Sequence, residues 1–181
     1  MLSGAPPAGV ILFHRNVESI GQLRRLTSEV EGIVEKSSGM TPLVMADHEG
    51  GRISVLSAAI GTPPSQMAAW APGSAELLES ITRQTARRVR NCGLNLTLSP
   101  VADVASEPLN PVIGTRAFGE DPGPVSEAVR IAVRSIAGER LLSCLKHFPG
   151  HGSTSADSHL SLPVIGKTAD RLKEEDIPPF T

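Results

Sequence analysis

Short, nearly continuous apolar runs alternate along the chain with stretches whose hydrophobic residues recur every three or four positions. Residues 9–13 (GVILF) read as a buried strand. Leu23, Leu26, Val30 and Ile33 follow at helical spacing, and Gly39 closes that helix. Residues 43–46 form a second strand that runs into Asp47-His48-Glu49-Gly50-Gly51-Arg52, and a Pro/Gly/Ser-rich connection covers 61–66. The next helix carries Leu78, Ile81, Thr85, Val89 and Cys92 on one face and stops at Gly93; Arg83, Arg87, Arg88 and Arg90 read as its solvated outer side. Residues 94–101 are a third strand. After a loop over 103–124, Val125, Val129, Ala132 and Ile136 define a helix that ends near Gly138. Residues 141–146 make a fourth strand, and 169–175 a last short helix.

Strands this uniformly apolar are buried on both faces, and their alternation with helices predicts an α/β fold with a parallel sheet and crossover helices. The unusual residues gather where each strand ends: 47–52 after the second, Asp103 after the third, 146–159 after the fourth. Such one-sidedness suits the catalytic face of a (β/α) barrel, or the crevice of a doubly wound sheet. No G-x-G-x-x-G follows a strand, so nucleotide binding loses support. Only four strands are visible, whereas a closed barrel takes eight strands and about 250 residues. The chain therefore reads as a small open α/β domain or as part of something longer.

Composition narrows the partners. A net charge of −2 with no block of like charge argues against nucleic acid, and four Phe, one Trp and no Tyr leave little for stacking bases. No run approaches the roughly 18 apolar residues of a membrane span. MLSGAPPAGVILF lacks the features of a signal peptide, which predicts a cytoplasmic protein, or an exported one if the start is truncated. Cys92 and Cys144 lie in apolar surroundings without C-x-x-C spacing and read as buried thiols. Asn95-Leu96-Thr97 matches a glycosylation acceptor, but it falls in a buried strand.

Residues 146–163 (KHFPGHGSTSADSHLSLP) hold three of the five histidines together with a lysine and an aspartate. Three chemistries fit. His147-x3-His151 with Asp157 and His159 could hold zinc for metal-assisted hydrolysis. Alternatively, Asp157 could orient His159 so that its imidazole protonates a leaving group and later deprotonates water, while Lys146 and His147 grip hydroxyls. The same polar groups could also serve a sugar- or anion-binding module without catalysis.

The segment LKHFPGHGSTSADSHLSLP closely resembles the motif of bacterial β-N-acetylhexosaminidases of glycoside hydrolase family 3. GVILFHRN, ADHEGGR, GLNLTLSPVADV and NPVIGTRAFGEDP resemble that family's other segments, in its order, over essentially all of residues 1–181. The resemblance implies a (β/α)8 TIM-barrel domain, present here in part as about four or five of eight βα units. It implies a retaining exo-β-N-acetylglucosaminidase of the peptidoglycan-recycling kind, acting through a covalent glycosyl-enzyme and needing no metal or cofactor. His159 then corresponds to the general acid/base and Asp157 to its partner; Asp47, Arg116, Lys146 and His147 correspond to sugar-binding residues. Glu49 reads as a structural hydrogen-bonder, His151 as a loop-shaping residue, His14 as a surface histidine and Trp70 as core.

The sequence also departs from the family. Val55 stands where a second sugar-binding arginine is common, and His48 and Thr115 also differ from the commoner residues. The family's first strand should precede Gly9, and its nucleophilic aspartate lies beyond Thr181. The chain thus reads as a piece of the enzyme, inactive alone, or as a truncated sugar-binding remnant.

Overall fold

The computed structural model describes residues 4–155 and 162–181. The chain runs β1 (Gly9–Leu12), α1 (Ile20–Ser38) and β2 (Leu43–Ala46), then a small hairpin of β3 (His48–Gly50) and β4 (Ile53–Ser54). Two short helices, α2 (Ser57–Ile60) and α3 (Gln66–Trp70), lead to α4 (Ala75–Asn91) and β5 (Leu96–Thr97). The succession closes with α5 (Pro122–Gly138), β6 (Leu142–Ser143) and α6 (Ala169–Glu175).

β1, β2, β5 and β6 form one parallel sheet in sequence order, with Gly9 opposite Leu43, Met45 opposite Leu96, and Leu96 opposite Leu142. A doubly wound sheet reverses its strand order at a switch point; this one does not. The winding is that of a (β/α)8-type barrel, seen here as a partial barrel. Leu23 of α1, Ala86 and Val89 of α4 and Ile136 of α5 pack with Leu12, Val44 and Ala46 of the sheet. A second cluster joins Leu78, Val104, Phe118, Val125 and Val129, with the partly buried Trp70 packed against it.

The helix boundaries follow their caps. Ser19 accepts the Gln22 N–H at the start of α1, and Gly39 at its end adopts φ 72° with its N–H on the Glu35 carbonyl. Asp121 caps α5 just before Pro122. The arginines of α4 do more than solvate its outer face. Arg83 and Arg87 both pair with Glu139, and Arg90 donates to the Arg140 carbonyl at 2.6 Å, so they tie α4 to the end of α5.

The third and fourth strands are shorter than their apolar runs. Asn95 extends the ladder at the start of β5: besides its backbone bonds to Val44 and Leu142, its side-chain Oδ1 accepts the Val44 N–H and its Nδ2 donates to the Pro42 carbonyl, both at 2.8 Å. Pro100 has no N–H to offer, and pairing resumes only at the bridge between Val101 and Lys146. Cys92 is fully buried as its setting suggested, but Cys144 is exposed. It follows β6, the last strand of the sheet, and no described strand lies beyond it.

The β3–β4 hairpin was not legible as strands. It depends on Gly50, whose φ is 103° and whose Cβ, were there one, would lie 2.0 Å from the Pro64 carbonyl oxygen. Within the hairpin His48 is 2% exposed and accepts the Leu56 N–H on Nδ1 at 3.3 Å. Burial first, and His14 second, press its pKa from 6.5 down to about 4. The unfolded chain therefore takes up this proton before the folded one does, so stability present above pH 6.5 is lost as pH falls toward 4. Denaturant titration of the full-length protein at pH 7 and pH 5 should show the wild type losing about 2 kcal/mol more than His48→Gln. Parallel losses in the two proteins would remove His48 as the titrating group.

Candidate active site

Three strand ends deliver polar side chains to one cleft of about 400 Å³, whose lining includes Asp47, Arg116, Lys146, His147 and His151. That volume is in the range of small-ligand sites. Asp47 and Glu49 come from the end of β2 and the hairpin. Asp103 and Arg116 lie between β5 and α5, Arg116 in a 3-10 turn, Gly114–Arg116. Lys146, His147 and His151 follow β6.

Glu49 is at the centre. Its side chain is 1% exposed and takes a two-pronged pairing from Arg116, Nε to Oε2 at 2.8 Å and Nη2 to Oε1 at 2.9 Å. Lys146 Nζ reaches Glu49 Oε1 at 2.5 Å and also bonds Asp47 Oδ1. Burial alone would raise the Glu49 carboxyl, but Arg116 and Lys146 together hold it below the usual carboxylate range. Arg116 is likewise desolvated, yet the surrounding carboxylates, Glu49 foremost, keep it firmly protonated. Its Nη2 also reaches His147 Nε2 at 3.3 Å, and His147 Nδ1 lies 2.6 Å from Asp103 Oδ2. The sequence Asp103–His147–Arg116–Glu49–Lys146–Asp47 is thus one connected polar chain crossing three strand ends.

Local structure fixes each part. Asn110 Oδ1 accepts the N–H groups of Val112 and Ile113 at 2.8 and 2.7 Å, and the Arg52 guanidinium gathers the carbonyls of Pro111, Val112 and Ile113. This shapes the segment that ends in Arg116, whose Nη1 donates to the Val112 carbonyl at 3.1 Å. Asn110 Nδ2 also holds the His151 carbonyl at 2.8 Å, and Asp103 Oδ1 accepts the His151 N–H at 2.7 Å. Gly152 packs so closely on the Val104 carbonyl that a Cβ would sit 1.9 Å from its oxygen. The fourth-strand loop is therefore seated directly on the third.

The structure brings together Asp47, Arg116, Lys146 and His147, while Asp157 and His159 lie outside the described residues. Glu49 is the hydrogen-bonder the sequence suggested. His151 lines the cleft, and its buried Nε2 finds no partner among the described residues. His14 is exposed, but on the cleft wall rather than an unrelated surface. Val55, Ile53 and Val112 form an apolar part of the same wall. For a zinc site, His147 is poorly placed: Asp103 takes its Nδ1, and the Arg116 guanidinium, itself a cation, faces its Nε2. Asp103 was not singled out as a site residue, although an acid within Val101-Ala102-Asp103-Val104-Ala105 announces a buried charge that needs partners.

Comparison with known proteins identifies the family. The family model described as glycosyl hydrolase family 3 N terminal domain matches residues 1–181. A β-hexosaminidase of Chromobacterium violaceum is 36% identical over 180 residues, covering 95% of this chain and 48% of the relative. A glycoside hydrolase family 3 β-N-acetylglucosaminidase from a Paenibacillus species superposes with TM-score 0.94 at 32% identity, over 99% of this chain and 34% of that one. NagZ from Neisseria gonorrhoeae, solved in complex with N-trifluoroacetyl-D-glucosamine, gives TM-score 0.85 at 32% identity, over 96% of this chain and 52% of that one. The chain thus spans about half the length of the Chromobacterium and gonococcal relatives and about a third of the Paenibacillus one. It belongs to glycosyl hydrolase family 3, among the members named β-hexosaminidases.

Proposed function

We propose that the complete protein is a retaining exo-β-N-acetylglucosaminidase acting on terminal N-acetylglucosamine of peptidoglycan-derived or related glycans. The observation that carries this reading is the cleft in which the acceptor Asp47 and the imidazole of His147 stand beside the donors Lys146 and Arg116. A sugar hydroxyl both gives and takes a hydrogen bond, so a rim that mixes acceptors and donors suits a pyranose better than it suits a uniformly charged ligand. The complex of the gonococcal relative with a glucosamine derivative supports the same substrate class.

In this reading the hydroxyls of the terminal sugar are held by those four side chains. His159, oriented by Asp157, gives its proton to the glycosidic oxygen as a carboxylate from a later segment attacks the anomeric carbon. The C–O bond breaks and a glycosyl-enzyme forms. The now neutral imidazole then takes a proton from water, whose oxygen releases the sugar with retained configuration. Retention requires donor and nucleophile about 5–5.5 Å apart, which sets where the later aspartate must stand.

Two sets of variants of the full-length protein test the reading. His159→Ala and Asp157→Ala should each lose most turnover, on the order of a hundredfold or more, on an aryl N-acetylglucosaminide while melting normally. Unchanged turnover in both would discard the acid/base assignment. Arg116→Ala should abolish binding and also destabilise by up to about 3–5 kcal/mol, because it leaves the buried Glu49 charge with Lys146 as its one remaining cation. Asp47→Ala, whose partly exposed carboxylate can be solvated, should weaken binding with little change in unfolding free energy. Equal stability losses for these two variants would contradict the proposed division between scaffold and sugar contact.

A further inference from the structure

We infer that Asp103 is a positioning residue that sets the tautomer of His147 and thereby makes this imidazole a hydrogen-bond acceptor toward a substrate hydroxyl. The inference rests on the sugar-binding reading above for the identity of that hydroxyl, but its geometry stands on the chain's own contacts.

Arginine has only donors. The two hydrogens on Arg116 Nη2 have two acceptors within reach, Glu49 Oε1 at 2.9 Å and His147 Nε2 at 3.3 Å. His147 Nε2 must therefore present its lone pair. The ring proton then belongs on Nδ1, where it points at Asp103 Oδ2, 2.6 Å away. Asp103 is completely buried, so no water competes for that contact. Its carboxylate is filled from one side only: the backbone N–H of His147 at 3.2 Å, the N–H of His151 at 2.7 Å and the His147 ring all donate to it. An ionised carboxylate is the one side chain of this size that accepts all three without offering a proton back.

The opposite tautomer would set Nε2–H against an Arg116 N–H and leave a bare Nδ1 facing a carboxylate, two repulsions inside one contact. His147 is about a third exposed, on the side that lines the cleft, so the fixed ring is within reach of a ligand. The Arg116 contact to Nε2 is long at 3.3 Å, so a hydroxyl entering the cleft displaces it as the donor to that single lone pair. A hydroxyl bound there must donate its hydrogen to His147, and takes its own donor from Lys146 or Arg116.

The test is spectroscopic first. Full-length protein labelled with ¹⁵N-histidine, with His147 assigned by His147→Gln, should give a long-range ¹H–¹⁵N pattern at pH 7.5 with the proton on Nδ1. A wild-type ring protonated on Nε2, or on both nitrogens, overturns the inference whether or not any variant folds. Asp103→Asn keeps the shape but turns an amide toward Nδ1; such a change leaves a catalytic histidine in the wrong tautomer elsewhere. Here it should move the proton to Nε2 and lower kcat/KM by roughly ten- to hundredfold. An Asp103→Asn protein that loses activity with an unchanged ring tautomer overturns the positioning role, since a purely structural defect would do the same. A wild type that shows the Nδ1–H ring but no glycosidase activity upholds Asp103 and removes the substrate reading instead.

Discussion

The buried carboxylate of Glu49, held between the Arg116 guanidinium and the Lys146 ammonium, is the contact from which the site is organised. An isolated ion in that position would cost several kcal/mol in lost hydration, and the Coulomb attraction of one partner seldom makes this good. Two cations and a two-pronged geometry do so here. The arrangement has a geometric by-product. Because Arg116 and Lys146 are both committed to Glu49, their remaining donors have fixed directions, one toward His147 and one toward Asp47. The groups that face the cleft are thus oriented before any ligand arrives, which lowers the reorganisation needed on binding.

Much of this was legible in the sequence, and the reasons are specific. Periodicity located α1, α4 and α5 because each carries a broad apolar stripe and a recognisable cap, as with Gly39 after α1. The clustering of Asp47, Lys146 and His147 at strand ends placed them on one face before any coordinates. Other features were hidden because they depend on contacts remote in sequence. Nothing local to Asn95 says that its amide will extend the ladder to Pro42 and Val44. The hairpin after β2 has too few residues to show alternation, and its turn is dictated by the approach of Pro64 to Gly50. Asp103 looked like one more residue after a strand, since its partners lie more than forty positions away.

The apolar portion of the cleft separates this chain from a wholly polar sugar site. Val55 is nearly buried and, with Ile53 and Val112, offers methyl groups where a ligand would otherwise meet a charge. Such a surface neither donates nor accepts, so a ligand group placed against it must be apolar or must give up its own hydration. Under the proposed sugar-binding reading, that side would select a ligand by shape and exclusion of water, while Asp47, Lys146, Arg116 and His147 would read its hydroxyls.

The seating of the fourth-strand loop on the third, through Gly152 and the Val104 carbonyl with Asp103 beneath, bears on how such a barrel can diversify. Barrels are often treated as modular, each loop free to be exchanged while the scaffold stays constant. Here two loops share backbone contact and one ionic lattice, so grafting either alone from a distant homologue would break the other. Engineered variation in this barrel should therefore exchange the two loops together, or be confined to the wall that the lattice does not touch.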